Sequence, residues 1–498
     1  MTRRLNIAYI LADDMGYGDL SCLNENSKIR TTHLDRLAKK GMVFSDAHAS
    51  SAVCTPSRYS ILTGRYNWRS ALKRDVLWGY SRHLIEPGRM TVASYLKQHG
   101  YATAMIGKWH LGWDWSTSDQ QPARDDGSNV NFSGLVTNGP DAYGFDHYYG
   151  HSGSLDMPPY VYVENGKVSA QPDRVTENTE KFTWWRKGPT GADFRHEDVL
   201  PNFTRRSVKY IEEQAADKVP FFLYLALPAP HNPILPGKEF LGKSGTNPYG
   251  DFCLQVDDTV GQIADSLERA GIADNTILIF TSDNGCSPVA DFDQLASMGH
   301  APSYHFRGAK ADIYEGGHRI PLIVCWPEEI RPGTTCKETV CLSDLLRTCS
   351  DILGETLPEE AGEDSISNLP LWREKTLDAP LREATIHHSI DGSFSIRKGQ
   401  WKLEMCAGSG GWSFPRPGKE CKGLPEIQLY DLSVDIGERR NVYADHPEVV
   451  AELKSLLTRS VENGRSTPGA RQSNSGDGLW EQLWWMDPRR PSDVGSKP

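Results

Sequence analysis

Residues 5–11, Leu5-Asn6-Ile7-Ala8-Tyr9-Ile10-Leu11, form a nearly unbroken apolar run at the start of the chain. Such a run is typical of a strand that is buried on both faces of a parallel sheet. Comparable runs follow at residues 101–106, 220–227, 276–281 and 320–326, and helical patterns occur at residues 32–40, 90–99, 202–216 and 252–270. This alternation predicts an α/β fold, with a large, mostly parallel sheet sandwiched by helices.

The character of the sequence changes after about residue 360. Short segments of alternating polarity at residues 385–390, 393–398 and 400–405 predict a small antiparallel sheet, and residues 447–460 predict a helix. Because 498 residues are many for one core, we expect a catalytic α/β domain at 1–365 and a smaller C-terminal α+β domain at 366–498. Its tail carries Trp480, Trp484 and Trp485, which we expect to pack back on the body, since exposed indoles favour association.

Charge and composition exclude several classes of function. The net charge of −11 argues against a general nucleic-acid binder, and no stretch has transmembrane length, so neither nucleic acid nor a membrane is an expected partner. The N-terminus lacks the pattern of a signal peptide, which predicts a cytoplasmic protein as the sequence stands, or a periplasmic or secreted one if a native leader was removed. Ten cysteines without CxxC pairs indicate reduced thiols, and Cys406 and Cys421 are either a pair or two free thiols.

Polar side chains follow four of the five apolar runs. They are, in chain order, Asp13, Asp14, Lys108, His110, His231, Asp283 and Asn284. Ligands of such sheets bind at the carboxyl ends of the strands, so we expect these residues to meet at one edge. Two adjacent carboxylates repel each other unless a cation lies between them, and the alternative for Asp13 and Asp14 is a solvated turn.

Four of these residues offer only oxygen ligands to a metal: Asp13, Asp14, Asp283 and Asn284. An all-oxygen set selects a hard cation. Ca²⁺ is the expected ion because it tolerates irregular geometry, and Mg²⁺ is the alternative.

The stretch Ser51-Ala52-Val53-Cys54-Thr55-Pro56-Ser57-Arg58 predicts a loop that closes onto a helix. Pro56 suits a first helical turn, where its missing N–H has no partner, and Gly64 suits the helix end. A helix N-terminus presents free N–H groups to an anion, and Arg58, about one turn on, can reach the same place. The alternative is an ordinary helix-capping turn with a buried cysteine.

The pattern Cys54-x-Pro56-Ser57-Arg58, followed by Thr63-Gly64-Arg65, resembles the signature of the type I sulfatases of the alkaline-phosphatase-like superfamily. The family's other motif residues match, in the same order, Asp13, Asp14, Gly107 to His110, His231, Asp283, Asn284 and Lys310. The resemblance implies an alkaline-phosphatase-like fold and a sulfuric ester hydrolase. It further implies that a formylglycine-generating or sulfatase-maturating enzyme converts Cys54 to 3-oxoalanine (formylglycine).

The resemblance also implies a role for each catalytic residue. The aldehyde hydrate made from Cys54 binds the metal and attacks sulfur. Charge on the sulfuryl oxygens is neutralised by the metal, Arg58, Lys108 and Lys310. His231 protonates the leaving group, and His110 takes a proton so that sulfate is released.

Substrate contacts are expected from Lys108, His231, Lys310, Arg74, Trp78, Arg82, His83, His387 and His388. For residues 66–90 the alternative is an ordinary surface loop. The segment 66–87 resembles that of bacterial sulfatases acting on sulfated sugars, such as hexosamine sulfates from glycosaminoglycans. Trp184 and Trp185 are either a sugar-stacking platform or a core pair.

Other functions stay open on the sequence alone. One is an arylsulfatase for small aryl or steroid sulfates, and another is a phosphodiester or phosphonate monoester hydrolase of the same superfamily. The last is a non-catalytic binder of sulfated glycans, in which Cys54 stays unmodified. The expected small partner is a sulfated mono- or disaccharide, or an aryl sulfate, and assembly into a homo-oligomer is left open.

Overall fold

The computed structural model describes residues 5–476 and 478–490. Its strands, in chain order, are β1 (Asn6–Asp13), β2 (Met42–Phe44), β3 (Ala47–His48), β4 (Ala102–Lys108), β5 (His147–His151), β6 (Val163–Glu164), β7 (Lys167–Val168), β8 (Pro172–Asn178), β9 (Trp185–Gly191), β10 (Phe221–Pro230), β11 (Thr276–Ser282), β12 (Leu322–Cys325), β13 (Thr334–Cys336), β14 (Val340–Cys341), β15 (Thr385–His388), β16 (Phe394–Lys398), β17 (Trp401–Glu404) and β18 (Gln428–Asp431). Its α-helices are α1 (Thr32–Lys40), α2 (Cys54–Thr63), α3 (Val92–Gln98), α4 (Val199–Asp217), α5 (Pro248–Arg269), α6 (Phe292–Ser297), α7 (Glu315–His318), α8 (Leu345–Leu353), α9 (Leu369–Trp372) and α10 (Pro447–Asn463).

A large mixed sheet forms the centre of the described part of the chain. Its strand order is β13-β2-β12-β11-β1-β10-β4-β5-β6-β7, and the five strands from β11 to β5 run parallel. Four of the five predicted apolar runs are the parallel strands β1, β4, β10 and β11. The fifth run is β12, which pairs antiparallel with β11. The predicted α/β class with a mostly parallel sheet is confirmed.

Both faces of this sheet are buried, which explains the apolar run that begins the chain. Ile7 and Leu11 of β1 pack into one hydrophobic core with side chains of α2, α3 and α8. Ala8 and Ile10 pack into a second core with side chains of α1, α4 and α5. Because successive strand residues point to opposite faces, a strand covered on both sides is apolar at nearly every position.

The C-terminal part forms the predicted antiparallel sheet, in the order β15-β16-β17-β18. The tryptophans of the tail pack against the core of this region, as predicted, with the Trp485 ring centroid 5.5 Å from that of Phe394. Helix α9 packs on the main core through Trp372, whose ring centroid lies 6.4 Å from that of Trp326. The division at residue 365 stays a prediction, and residues 1–4, 477 and 491–498 of the two predicted domains lie outside the described residues.

Two further observations concern the thiols and the helices of the described residues. Cys406 and Cys421 are free thiols, which favours the second of the two alternatives stated for them. Within residues 5–476 and 478–490, no helix is long and apolar enough to cross a membrane.

Candidate active site

Four strands of the parallel centre end at the same edge of the sheet and carry polar side chains there. Asp13 is the last residue of β1 and Lys108 the last of β4, whereas His231 follows β10 directly and Asp283 follows β11. All four side chains are buried. Lys310, from the loop before α7, reaches the same place. The sequence-based expectation that these residues meet at one edge is confirmed.

Two buried lysine–aspartate pairs occupy this edge. Lys108 Nζ lies 2.6 Å from Asp13 Oδ2, and Lys310 Nζ lies 2.6 Å from Asp14 Oδ1. Burial would raise the pKa of Asp13, but the charges of Lys108, His231 and other cations hold it well below its usual value. Burial would lower the pKa of Lys310, but the Asp14 carboxylate raises it. The site therefore holds fixed positive charges beside its carboxylates.

Arg58 lies on α2, one turn after Cys54. Its Nε and Nη2 donate to Asp283 Oδ2 at 2.9 and 2.7 Å, and its Nη1 donates to the Lys108 carbonyl at 2.8 Å. Burial and the nearby Asp13 charge raise the pKa of Asp283 to about 7, although Arg58 opposes them. The Arg58 guanidinium therefore joins α2 to the ends of β4 and β11, and its Nη2 also lies 3.7 Å from Asp13 Oδ1. Its role toward the sulfuryl oxygens stays a prediction.

Several oxygen atoms at this edge fit a hard cation. Asp13 Oδ1 and Asn284 Oδ1 are buried and have no hydrogen-bond partner among the described residues. One ligand atom from each of Asp13, Asp14, Cys54 and His231 lies within 4.8 Å of the others. A buried oxygen without a partner is costly, and Ca²⁺ or Mg²⁺ accepts such oxygen ligands. The donor set therefore fits the predicted ion through Asp13 and Asn284, with Asp14 beside them.

His110 has the hydrogen-bonding pattern of a neutral base. Its Nε2 lies 2.7 Å from the Leu77 carbonyl, which can only accept, so the ring proton is on Nε2. Its Nδ1 is buried and has no partner in the described part of the chain. Burial and the charge of Lys108 hold the pKa of His110 well below its usual value. An unshared lone pair on Nδ1 is therefore available to take a proton.

In His231 the ring proton is on Nδ1, whereas in His110 it is on Nε2. His231 Nδ1 lies 2.6 Å from the Asn232 carbonyl, so Nδ1 donates there. Its Nε2 lies 3.7 Å from Asp14 Oδ2. Burial and the charge of Lys310 lower the pKa of His231. Nε2 is therefore the atom that can exchange a proton with a bound ligand.

Cys54 begins α2 and is buried. Burial raises the pKa of its thiol to about 12, although the charges of Lys108 and Lys310 oppose that shift. The thiol is therefore protonated at neutral pH, and a protonated thiol is a weak nucleophile.

Residues that hold Asp14 in place were not predicted from the sequence. Asp14 has φ +69°, a conformation that non-glycine residues adopt only with support. The Tyr249 hydroxyl donates to the Asp19 carboxylate at 2.5 Å and lies 3.1 Å from the Asp14 carbonyl. Ser282 Oγ accepts a hydrogen bond from the next amide, that of Met15, at 3.0 Å. No local pattern marks Tyr249, because it lies more than two hundred positions from its partners.

The predicted rim residues between positions 74 and 83 lie at the surface or near it. Trp78 is 46% exposed, and the side chains of Arg74 and Arg82 are 66% and 61% exposed. Arg74 pairs with Glu481 of the tail, whereas Arg82 and His83 both contact Asp114. Their role in substrate binding stays a prediction.

His387 and His388 do not join the rim, which corrects the expectation that they contact the leaving group. His387 is fully buried, and its ring stacks on that of His318 with centroids 3.8 Å apart. His388 packs edge-on against Phe394 inside the C-terminal core. Both residues belong to the interior of the smaller sheet and its contact with the main sheet.

Comparison with known proteins shows the family of this chain. The chain matches the family model described as Sulfatase over residues 5–355. It is 36% identical to the N-acetylgalactosamine-6-O-sulfatase of Bacteroides thetaiotaomicron, over 92% of this chain and 93% of that protein. It is 30% identical to human arylsulfatase A, over 96% of this chain and 92% of that protein. A solved sulfatase structure from the glycosaminoglycan metabolism of B. thetaiotaomicron superposes with a TM-score of 0.80 at 33% identity, covering 92% of this chain and 99% of that one.

The mixed sheet, with buried carboxylates, lysines and histidines at one edge, defines a hydrolase of the alkaline-phosphatase-like superfamily. Within that superfamily the chain belongs to the sulfatase family, and it is a sulfuric ester hydrolase.

Proposed function

We propose that this sulfatase removes sulfate from sulfated sugars derived from glycosaminoglycans, with hexosamine 6-sulfates as the preferred class. The N-acetylgalactosamine-6-O-sulfatase of B. thetaiotaomicron, which is similar over most of both chains, supports this substrate class. We further propose that Cys54 acts as formylglycine and that the bound ion is Ca²⁺.

A pair of buried oxygens at the catalytic edge, Asp13 Oδ1 and Asn284 Oδ1, is the observation that carries the proposal of a bound ion. Both oxygens are buried without a hydrogen-bond partner among the described residues, although Arg58 Nη2 lies 3.7 Å from Asp13 Oδ1, and a bound cation would satisfy both. A bound divalent ion would supply positive charge that favours ionisation of a hydroxyl and polarises a sulfuryl oxygen. Thiolate is a soft ligand, so an oxygen-bearing form of Cys54 suits this ion better than the free thiol.

The remaining site residues supply charge and proton transfer. Lys108 and Lys310 are fixed cations that would face the sulfuryl oxygens in a substrate complex. Because Nδ1 donates to a carbonyl, Nε2 of His231 would face the leaving oxygen and would pass a proton to it when the imidazole is protonated there. His110 Nδ1, which is buried and unpartnered, would take a proton during sulfate release.

A substrate panel tests the proposal. Purified protein, co-expressed with a formylglycine-generating enzyme, is assayed for sulfate release from N-acetylgalactosamine 6-sulfate, glucosamine 6-sulfate, 4-nitrophenyl sulfate and 4-nitrophenyl phosphate. We expect the highest kcat/KM for a hexosamine 6-sulfate. Mass spectrometry of the peptide that carries Cys54 should find the aldehyde, and Cys54→Ser should abolish turnover.

Each alternative function predicts a different outcome. A clear preference for 4-nitrophenyl sulfate would favour a small-molecule arylsulfatase and overturn the sugar assignment. Faster release of phosphate would favour a phosphate-ester hydrolase. Turnover by a preparation in which Cys54 is entirely unmodified would overturn the formylglycine proposal, whereas binding of a sulfated sugar without turnover by matured protein would favour a glycan binder.

A further inference from the structure

A segment beyond β5 carries buried polar atoms that the catalytic proposal does not use. The side-chain oxygens Ser152 Oγ, Ser154 Oγ and Asp156 Oδ1 are buried and have no hydrogen-bond partner among the residues that the structure describes. Three unpartnered oxygens so close in sequence are unusual, because buried polar groups in folded proteins nearly always have partners. A ligand with hydroxyl groups would satisfy them.

The segment lies next to the catalytic edge. The amide of Trp109 donates to the His151 carbonyl at 3.1 Å, and the amide of His110 donates to the Ser152 carbonyl at 2.9 Å. The segment therefore continues from the strand beside β4 and runs directly alongside the histidine proposed as the base. Lys108 pairs with His151 in the β4–β5 ladder, so the positions that follow extend the same edge of the sheet.

Asp156 is held in one orientation by Arg186. The Arg186 guanidinium forms an ion pair with Asp156 Oδ2, and the Arg186 amide donates to the Asp156 carbonyl at 3.2 Å. The Asp156 side chain is 5% exposed, whereas that of Arg186 is 42% exposed. One carboxylate oxygen is thus fixed by an arginine, and the other is left without a donor.

Two tryptophans flank this arginine. The Arg186 guanidinium carbon lies 4.9 Å from the ring centroid of Trp78 and 5.0 Å from that of Trp184. Trp78 follows Leu77, whose carbonyl accepts the hydrogen bond of His110, so this indole stands one residue from a catalytic contact. Trp78 and Asp156 thus share one partner, Arg186. An exposed indole and a fixed carboxylate are groups that suit a sugar, which has an apolar ring face and hydroxyl donors.

We propose that Asp156 is a specificity-determining residue, whose free oxygen Oδ1 accepts hydrogen bonds from ring hydroxyls of the sugar that carries the sulfate. Arg186 acts as a positioning residue for that carboxylate, and Trp78 offers its exposed ring face to the sugar. The inference rests on the proposed function and deepens it, because it explains how the site distinguishes a sulfated sugar from an aryl sulfate without hydroxyls. A carboxylate that binds a substrate hydroxyl disfavours any ligand that lacks it.

The test compares Asp156→Asn with wild-type protein on two substrates, N-acetylgalactosamine 6-sulfate and 4-nitrophenyl sulfate. We expect the ratio of kcat/KM for the sugar to kcat/KM for the aryl ester to fall by about tenfold or more, mainly through KM for the sugar. Asp173→Asn is the matched control, since Asp173 is also paired with an arginine, Arg174, but lies exposed on β8. This control should leave the ratio at the wild-type value.

A binding measurement covers the case in which one substrate turns over too slowly. In the Cys54→Ser background, calorimetry gives the Kd of N-acetylgalactosamine 6-sulfate and of inorganic sulfate. Adding Asp156→Asn should raise the first Kd relative to the second by about tenfold. Equal changes for both probes, or for both substrates, would show a merely structural role and overturn the inference. A wild-type enzyme that acts only on the aryl ester would instead overturn the proposed substrate class.

Discussion

Lys108 Nζ lies 2.6 Å from Asp13 Oδ2, and neither side chain is more than 1% exposed. Two opposite charges that have been removed from water stabilise the fold only as a pair. Lys108 ends β4 and Asp13 ends β1, with β10 between these strands, so the pair also fixes the separation of two strand ends.

Replacing this lysine should expose the dependence of Asp13 on a nearby positive charge. For Lys108→Met in metal-free buffer we expect the free energy of unfolding to fall by about 3 kcal/mol, because the buried Asp13 carboxylate loses its nearest cation and keeps the more distant Arg58 guanidinium, 3.7 Å from Oδ1. In saturating Ca²⁺ the loss should be smaller, since the ion would supply the missing charge. Urea denaturation with and without Ca²⁺ measures both values.

An exposed ion pair provides the control for this measurement. Arg331 pairs with Glu374 at 2.8 Å, but its side chain is 72% exposed. Arg331→Met should therefore change the free energy of unfolding by less than about 1 kcal/mol, with or without Ca²⁺. If Lys108→Met loses the same stability in both buffers, no cation binds beside Asp13.

The unpartnered amide oxygen of Asn284 leads to a prediction about metal affinity. Asn284→Ala removes Oδ1, which is buried without a partner among the described residues, and it also removes the Nδ2 contact to Asp14 at 2.7 Å. We expect Ca²⁺ affinity, measured by calorimetry, to weaken by at least about tenfold. Chelation should abolish sulfate release by the wild-type enzyme, and added Ca²⁺ should restore it.

A second asparagine separates loss of a ligand from loss of a hydrogen bond. Asn202 lies on α4, and its side-chain amide donates to the Tyr149 hydroxyl at 2.9 Å. Asn202→Ala should leave the Ca²⁺ affinity at the wild-type value. An Asn284→Ala protein that binds Ca²⁺ as tightly as the wild type would remove Asn284 from the ligand set.

The sequence predicted much of the fold because buried strands can be recognised from their runs of apolar residues. A strand covered on both faces is apolar throughout, so β1, β4, β10 and β11 could be located, and with them the edge where their polar ends meet. An apolar run does not indicate whether a strand is parallel or antiparallel to its neighbours. For that reason the run at residues 320–326 was grouped with the others, although β12 is antiparallel.

The site was predictable where a residue follows a strand directly, and not where its partner lies far along the chain. Asp13 and Asp283 belong to the first kind. Tyr249 belongs to the second, since nothing near it in sequence indicates Asp14 or Asp19. The prediction for His387 and His388 was wrong. Two adjacent histidines suggested exposed side chains that bind substrate, whereas packing on both sides of β15 buries them.

Tyr249 should act on catalysis through the backbone of Asp14. For Tyr249→Phe we expect kcat to fall by roughly tenfold. The variant loses the hydrogen bond to Asp19, whose carboxylate also accepts from the Gly16 amide and so holds the turn that follows Asp14. Tyr210→Phe is a matched control, since the Tyr210 hydroxyl is buried without a partner in the described residues. Equal kcat values for the two variants would show that Tyr249 does not support the site.

The buried histidine cluster between the two sheets predicts how stability depends on pH. His48 Nε2 lies 2.9 Å from Asp46 Oδ1, and His48 Nδ1 lies 3.0 Å from His318 Nδ1. Burial, together with the charge of Arg319, lowers the pKa of His48 to about 4. The groups that face His48 are Asp46, Glu315, His318, Arg319, His387 and Arg397. The pKa values of His318 and His387 are also lowered by burial, with a further contribution from Lys402 for His318 and from His318 and His48 for His387.

The direction of these pKa shifts determines whether the stability of the fold rises or falls with pH. An unfolded histidine binds a proton near pH 6.5, whereas folded His48 resists protonation down to about pH 4. Between those values the unfolded state holds more protons, so stability falls as the pH falls, by about 3 kcal/mol for His48 alone. His48→Gln removes this titration, so its melting temperature should fall less between pH 7 and pH 5 than that of the wild type. His446→Gln, at a position whose side chain is 39% exposed, should follow the wild-type slope. A His48→Gln protein with the wild-type slope would show that His48 is protonated equally in the folded and unfolded states.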